Sequence, residues 1–203
     1  KKCSKVIFAG NISKPRISSL KLDLKGIYYI PRIIRASKKG DAAILKELIK
    51  ILAENKIQVI KLNAFNPELT LKKGFYTKIK PSLSDLSTIN IGINILKKTN
   101  AHDHIQAIVI KDDKIVSLEK KGGTKKLIRS IKSKRLKNAI LIKTPKSMQD
   151  LRADLPTIGI DTLKDCKKAN IKGIAIKGNQ NIFLNKHESI KFANNNKIFV
   201  VAV

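Results

Sequence analysis

The sequence predicts an α/β protein with two α/β domains, a Rossmann-like domain over residues 1–79 and a second domain over residues 80–203. Short apolar runs of strand-like composition alternate along the chain with segments whose apolar residues recur three and four positions apart, the spacing of amphipathic helices. Between residues 63 and 82 this alternation weakens, and prolines and a glycine interrupt it. We therefore expect a linker there, with the domain boundary near Lys80.

The first domain opens on a strand-like run over residues 5–9. Pro31 predicts the start of a short basic helix, and Asp41 is a suitable N-cap for the helix that follows. That second helix reaches about Glu54 and carries an apolar stripe of Leu45, Leu48, Ile49 and Leu52. A strand over residues 57–62 comes next, and the order strand, helix, strand predicts a parallel α/β unit.

The second domain continues the alternation of helices and strands. Ser84 or Asp85 is expected to cap a helix with apolar residues at 86, 89, 93 and 96. A Gly-Gly-Thr turn at residues 122–124 leads into a helix with Leu127, Ile128 and Ile131 on one side. Strands are predicted over residues 105–110, 115–118, 139–142, 171–176, 182–184 and 198–203, and helices near residues 162–169 and 188–194.

The charge balance suggests an anionic partner, either nucleic acid or a membrane surface, but we interpret most of it as background, because the abundance of Lys, Ile and Asn and the absence of Trp are typical of an A/T-rich coding sequence that places Lys at surface positions. The chain carries 43 Lys and Arg residues against 15 Asp and Glu residues, a net charge of +28. The basic residues are dispersed, and aromatic residues are only 4% of the chain, so stacking platforms for single-stranded nucleic acid are poorly supplied. No apolar run approaches the roughly 18–20 residues of a membrane span, and the two cysteines have no metal-ligand spacing. We expect a soluble, cytoplasmic protein for which nucleic acid is the weakest partner hypothesis.

Residues 143–159 are the segment best suited to chemistry. They combine cations, a glutamine and two carboxylates between an apolar strand and a predicted helix, where ligand sites gather in α/β sheets. A solvated surface loop of the same composition is the alternative. Few other carboxylates are candidates for chemistry, so Asp150 and Asp154 become the main candidates by elimination. Of the two, Asp154 is better supported by its neighbours, because Pro156 restricts the backbone close to it. A carboxylate among cations suits metal binding or water activation in phosphoryl transfer.

Three further features allow either a functional or a purely structural interpretation. Gly122-Gly123-Thr124 is either an anion site at a helix start or a turn with Thr124 as N-cap. Gly10-Asn11 is a strand-end turn that could contact a ligand. His102-Asp103-His104 invites a metal site, but no paired motif supports it, and a solvated polar segment explains it better.

Five blocks of sequence occur together in the order of a known family. They are Phe8-Ala-Gly-Asn-Ile-Ser13-Lys-Pro15, Lys39-Gly-Asp-Ala-Ala-Ile44, Gln106-Ala-Ile-Val109, Gly123-Thr124 and Lys143-x-Pro-Lys146-x-x-Gln149-Asp-x-Arg152-x-Asp-Leu-Pro-Thr-Ile-Gly159. The last block is the most specific. Together they resemble the LpxI-type UDP-2,3-diacylglucosamine pyrophosphatases, and the resemblance covers essentially the whole chain.

The resemblance implies a two-domain enzyme of lipid A biosynthesis in Gram-negative bacteria. The family hydrolyses the pyrophosphate of UDP-2,3-diacylglucosamine with a divalent metal, usually Mg²⁺, giving UMP and 2,3-diacylglucosamine 1-phosphate (lipid X). It also implies a homodimer that binds its substrate between the two domains, at the inner face of the inner membrane. Matching of the motifs makes Asp154 the essential aspartate and the best candidate for a metal ligand. The implied substrate-binding residues are Gly10, Asn11, Gln106, Gly123, Thr124, Lys143, Lys146, Gln149 and Arg152.

The chain departs from the family pattern in three places. The family begins with a Gly-rich strand and loop ahead of the first strand here, so we expect a first domain that is incomplete at its N-terminus. Gly122 and Lys125 stand where the family usually has Glu and Asp around its Gly-Thr, and Asn63 stands where it has a His. The alternative function is therefore a truncated or degenerate member that binds the nucleotide-lipid without turnover, and a basic nucleic-acid-binding protein ranks last.

Overall fold

The computed structural model describes residues 3–10, 21–99, 105–132, 136–146 and 149–203. The chain divides into two compact units, the first containing residues 1–66 and 149–154, the second residues 67–148 and 155–203. Residues 143–159 therefore contribute to both units. The mixture of helices and strands confirms the predicted α/β class.

In the first unit, two short parallel strands are connected through two helices. β1 (Lys5–Val6) pairs with β2 (Gln58–Val59), and helices α1 (Leu24–Ser37) and α2 (Asp41–Glu54) lie between them in the chain. A one-turn helix, α3 (Leu62–Phe65), follows β2. The predicted parallel α/β unit is confirmed, although both strands are shorter than their apolar runs.

Helix α1 begins seven residues before Pro31, so the predicted helix start at this proline is wrong. Asp23 caps the helix, because its carboxylate accepts a hydrogen bond from the Gly26 N–H at 2.7 Å. Inside the helix, Pro31 removes one backbone donor. The Arg32 guanidinium donates to Glu47 and Glu54 of α2, each at 2.7 Å. The cap and these ion pairs stabilise α1 on both sides of the proline.

The N-cap of α2 is Gly40, which corrects the assignment of Asp41. Gly40 has a φ of 104°, in the left-handed region that favours glycine. Asp41 lies in the first turn, where a negative charge is favourable at the positive end of the helix dipole. Ile49 of the predicted apolar stripe is buried.

The strands of the second unit are β3 (Gly74–Phe75), β4 (Ala107–Lys111), β5 (Lys114–Leu118), β6 (Ala139–Lys143), β7 (Thr157–Ile158), β8 (Ile171–Ile176), β9 (Ile182–Phe183) and β10 (Phe199–Ala202). Among the described residues, six of them form a mixed sheet in the order β3-β10-β8-β6-β4-β5. β6, β8 and β10 are parallel to one another, whereas β3, β4 and β5 pair antiparallel with their neighbours. β7 and β9 form a separate parallel pair, of which the sequence predicted β9, within the strand over residues 182–184, but not β7.

Helices cover both faces of this sheet. α4 (Leu83–Thr99) packs on one face, and α5 (Gly123–Lys132), α6 (Ile160–Lys168) and α7 (Lys186–Asn195) pack on the other. The side chains of β6 alternate accordingly, since Ile140 and Ile142 join the core beneath α4 while Leu141 joins the opposite core. The predicted stripe of α5 is confirmed, because Leu127, Ile128 and Ile131 are buried.

Helix α4 begins with a capping box at Ser82, so neither Ser84 nor Asp85 is its N-cap. The Ser82 hydroxyl accepts from the Asp85 N–H at 3.2 Å, and the Asp85 carboxylate accepts from the Ser82 N–H at 3.0 Å. Asp85 is therefore the reciprocal partner of the cap. It also forms an ion pair with Lys172 at 2.6 Å.

Residues 63–82 carry regular structure where the sequence predicted a linker. β3 pairs with β10 at the edge of the sheet, with Phe75 opposite Val201, and Leu71 is fully buried. A two-residue strand has too few side chains to show a period, which is why the sequence did not reveal it. Residues 67–79 belong to the second compact unit. The domain division near residue 80 stays a prediction.

Gly173 in β8 allows the sheet to accommodate a large ring. It lies opposite Phe199 of β10, and a Cβ at this position would lie 2.1–2.3 Å from three ring carbons. Only a hydrogen atom fits there.

No helix formed by the described residues is long and apolar enough to cross a membrane.

Candidate active site

Gln106 and Lys143 are neighbours at one edge of the second unit's sheet. Gln106 directly precedes β4, Lys143 is the last residue of β6, and the strands pair with Ala107 opposite Lys143. The Thr144 N–H extends the pairing by donating to the Gln106 carbonyl at 3.0 Å. Because the two strands are antiparallel, the start of one meets the end of the other. The structure thus brings together two predicted substrate-binding residues that are distant in sequence.

Glu119 connects this strand edge to the Gly-Gly-Thr turn. It directly follows β5, and only 5% of its surface is exposed. Its Oε2 accepts a hydrogen bond from the Gln106 N–H at 2.7 Å, and its Oε1 accepts one from the Thr124 hydroxyl at 2.7 Å. Sequence reasoning missed Glu119. The available signal was an isolated carboxylate at a strand end, five residues before Thr124 in a Lys-rich segment.

The turn at residues 122–124 starts helix α5 at Gly123, so Thr124 lies in the first turn and is not the N-cap. Gly123 has a φ of 74°, a backbone conformation that is strained for any residue with a side chain. Its N–H donates to the Lys120 carbonyl at 2.9 Å. The Thr124 side chain is turned to Glu119 rather than to the helix end. Of the residues predicted at this turn, Thr124 is therefore connected to Gln106 through the Glu119 carboxylate.

Lys143 is held at both its backbone and its side chain. Its Nζ donates to the Thr157 carbonyl at 3.1 Å, and its own carbonyl accepts from Asn181 Nδ2 at 3.2 Å. Asn181 is fully buried, and its Oδ1 accepts from the Lys177 N–H at 3.1 Å. Asn181 was also missed, because one asparagine in a loop carries no sequence signal. The buried amide of Asn181 fixes the end of β6, and the Lys143 side chain extends from this position.

In the first unit, Arg152 surrounds the carboxylate of Asp150. Its N–H and its Nε both lie 3.0 Å from Oδ1, and its Nη2 lies 2.7 Å from Oδ2. The hydrogen bonds from Arg152 lower the pKa of Asp150, although burial opposes this, and they raise the pKa of the guanidinium. The Asp150 carboxylate is therefore a weak base, and both of its oxygens accept hydrogen bonds from Arg152.

Asp154 differs from Asp150 in its surroundings. Its N–H donates to the Asp150 carbonyl at 3.0 Å, which closes a turn, and its side chain is half-buried. Within the described part of the chain, its carboxylate has no hydrogen-bond or ion-pair partner. Of the two carboxylates that composition singled out, Asp154 is thus the one that no described residue contacts through a hydrogen bond or an ion pair.

The other predicted site residues are distributed between the units. Gln149 belongs to the first unit and Lys146 to the second, and both are half-buried. Gly10 is exposed and has a φ of 91°, and, apart from its chain neighbours, no described residue lies within 4 Å of a Cβ placed at this position. Asn11 and the segment His102–His104 lie outside the described residues.

Over the described ranges, no three His, Cys, Asp or Glu side chains lie close enough to share a metal ion. Mg²⁺ in phosphoryl-transfer sites is commonly held by one or two carboxylates and substrate phosphates, not by an all-protein cage. The half-buried carboxylate of Asp154 is compatible with this kind of site.

Comparison with known proteins covers both units. The LpxI N-terminal domain family matches residues 1–69, and the LpxI C-terminal domain family matches residues 72–201. The chain is also similar to the UDP-2,3-diacylglucosamine pyrophosphatase LpxI of Caulobacter vibrioides, with 27% identity over 211 residues that cover 99% of this chain and 75% of that protein. Two family domains that follow one another along nearly the whole chain establish that it belongs to the LpxI family.

Proposed function

We propose that the protein hydrolyses the pyrophosphate bond of UDP-2,3-diacylglucosamine, giving UMP and 2,3-diacylglucosamine 1-phosphate for lipid A biosynthesis. The observation that carries this proposal is the match to both LpxI domains, together with a similar protein that bears the name of this pyrophosphatase. The residues of the candidate site support it. Pyrophosphate hydrolysis requires a carboxylate for the water or a metal ion, and cations for the phosphate oxygens, and residues 143–154 supply both.

Asp154 is the proposed catalytic residue. Hydrolysis adds one water across the P–O–P bridge: the water oxygen bonds to one phosphorus, the bridging oxygen leaves with the other phosphate, and a base takes the water's proton. Asp154 either accepts this proton or holds Mg²⁺. Mg²⁺, when bound, offsets phosphate charge and lowers the pKa of bound water.

Lys143, Lys146 and Arg152 are proposed to offset the charge on the phosphate oxygens. Contacts with the Thr157 carbonyl and the Asp150 carboxylate hold Lys143 and Arg152, respectively, before any ligand binds. Cations fixed in this way need little reorganisation when charge develops. The remaining proposed substrate contacts are Gly10, Asn11, Gln106, Gly123, Thr124 and Gln149.

The test is the release of UMP from UDP-2,3-diacylglucosamine in mixed micelles, with and without Mg²⁺. We expect release that depends on the metal and falls about 10²–10⁴-fold in Asp154→Ala. Asp161→Ala is the matched control, because Asp161 is an exposed carboxylate in the first turn of α6. Undiminished release by Asp154→Ala would reject the assigned role.

The second candidate is a family member that binds the nucleotide-lipid without hydrolysing it. The observation in its favour is that Gly122 and Lys125 stand where carboxylates are expected around Gly123-Thr124. This candidate predicts that UMP or lipid X raises the melting temperature while no turnover occurs at any Mg²⁺ concentration.

We also propose that the protein contacts an anionic membrane surface and forms a homodimer. The proposed substrate carries two acyl chains, and a Lys or Arg close to an anionic leaflet contributes about 1 kcal/mol. With a net charge of +28, sedimentation with vesicles should require anionic lipid and decrease with salt. Light scattering of the purified protein measures the oligomeric state directly.

A further inference from the structure

The hydroxyl of Thr124 has a fixed hydrogen-bond polarity. An ionised carboxylate can only accept hydrogen bonds, and the Gln106 N–H can only donate, so Glu119 Oε2 is committed to Gln106. Glu119 Oε1 then accepts from Thr124 at 2.7 Å. A hydroxyl has a single proton, and this contact uses it.

A hydroxyl that donates its hydrogen bond to a carboxylate presents only lone pairs to a ligand. Phosphate oxygens are also acceptors, so they cannot form a hydrogen bond with it. The charge of Glu119, one hydrogen bond away, further disfavours an anion at this position. The Gly123 N–H, a second potential phosphate donor at this turn, already donates to the Lys120 carbonyl at 2.9 Å. The group that fits is a donor, such as a hydroxyl or an N–H.

We propose that Glu119 is a positioning residue that orients Thr124 as a hydrogen-bond acceptor, and that Thr124 binds a hydroxyl or N–H group of the substrate rather than a phosphate oxygen. This inference rests on the proposed function, because UDP-2,3-diacylglucosamine offers such donors on both sides of its pyrophosphate. The nucleoside side has ribose hydroxyls and the uracil N–H, and the lipid side has sugar hydroxyls and an amide N–H.

The chain contains a matched control for this contact. Thr88 donates its hydroxyl to Asp113 Oδ1 at 2.5 Å, which is a second threonine–carboxylate hydrogen bond in the same unit. Asp113 directly precedes β5, whereas Glu119 directly follows it, so the two contacts lie at opposite ends of one strand. Thr88→Val therefore removes a comparable bond away from the candidate site, and Asp113→Asn makes the same carboxylate-to-amide change there as Glu119→Gln makes at Thr124.

The binding experiment compares UMP, lipid X in micelles and inorganic pyrophosphate by calorimetry. In Thr124→Val we expect the Kd of UMP or of lipid X to rise about 3- to 10-fold, while the Kd of pyrophosphate stays unchanged. The probe that weakens identifies the side of the substrate that donates to Thr124. Weaker pyrophosphate binding, no change for any probe, or an equal effect of Thr88→Val overturns the proposal.

Glu119→Gln tests the orientation without a change in shape. The glutamine oxygen is needed by the Gln106 N–H, so its amide group faces Thr124 and the hydroxyl must accept from it. The Thr124 proton then points toward the ligand. We expect the same selective loss of UMP or lipid X binding, with Asp113→Asn unchanged. Unaltered binding by Glu119→Gln overturns the proposal.

Two readouts separate this inference from the proposed hydrolysis. Amide hydrogen exchange of Gln106 needs no ligand, and we expect it to accelerate in Glu119→Ala but not in Asp113→Ala. In the UMP-release assay, Thr124→Val should raise KM about 3- to 10-fold with kcat little changed, because a uniform binding contact is lost. Absence of turnover in the wild type rejects the hydrolysis while the binding and exchange results decide the role of Glu119.

Discussion

Arg152 donates three hydrogen bonds to the carboxylate of Asp150, two from its guanidinium and one from its backbone N–H. The shortest joins Nη2 to Oδ2 at 2.7 Å. This contact lowers the pKa of Asp150 and makes it a structural anion. It also separates the roles of two carboxylates that lie four positions apart, since Asp154 takes no part in it.

Asp150→Asn should destabilise the first unit in a pH-dependent way. A carboxyl group whose pKa is lower in the folded state contributes stability above its unfolded pKa of about 3.9, and this is lost as the pH falls through the folded pKa. The Arg152 side chain is 45% exposed, so we expect only about 0.5–1 kcal/mol at pH 7. Urea unfolding from pH 7 down to pH 2.5 should show the difference from wild type shrinking below about pH 4. A constant difference across this range would contradict the ionic origin.

Lys143→Met should impair hydrolysis more than folding. The ammonium contacts the Thr157 carbonyl and is a proposed partner of the phosphate oxygens. A hydrogen bond to a charged group contributes about 1.5–3 kcal/mol, so kcat/KM of UMP release should fall about 10- to 100-fold. Lys164→Met, at an exposed position of α6, is the charge-matched control and should retain activity. An equal loss in both variants would attribute the effect to overall charge.

Gly173→Ala should destabilise the sheet of the second unit. The added Cβ would lie 2.1 Å from the nearest carbon of the Phe199 ring, and Phe199 is 2% exposed, so the ring has little room to move. Overpacking of this kind costs about 1–3 kcal/mol. Denaturant unfolding of Gly173→Ala, Phe199→Leu and the double variant measures the coupling. Additive losses would show that the ring is not the obstacle.

Lys172→Met should lower the free energy of unfolding, because the buried Asp85 carboxylate loses its ion-pair partner. Burial raises the pKa of Asp85, but hydrogen bonds from Lys172 and Ser82 outweigh it and leave the pKa below its usual value. Loss of the lysine leaves a buried charge with only the cap as partner, which should cost about 1–2 kcal/mol at pH 7. Adding Asp85→Asn should recover part of this loss, whereas Lys167→Met, at an exposed position, should cost little. Urea unfolding of the four proteins decides between these outcomes.

Periodic segments could be predicted from the sequence, and short or cap-dependent features could not. Helix α2 and strands β4 and β5 follow from the spacing of apolar residues, because a buried face repeats every 3.6 or 2 positions. Helix α1 begins earlier than Pro31 because Asp23 caps it and Arg32 pairs with Glu47 of α2, and helix propensities do not include such contacts. β3 and β7 have two residues each, too few for a period, and exist because a neighbouring strand supplies their partners.

The sequence by itself determined the α/β class, the charge and the family, since these depend on composition, periodicity and ordered motifs. It also indicated Asp154, because a carboxylate among cations is rare in a chain with few acids. Only the tertiary structure decided that Glu119 joins Gln106 to Thr124, that Asn181 holds Lys143, and that Arg152 occupies Asp150. The reason is physical: a hydrogen bond depends on the distance and direction between two atoms, and strand pairing and turn geometry set both only when the chain folds.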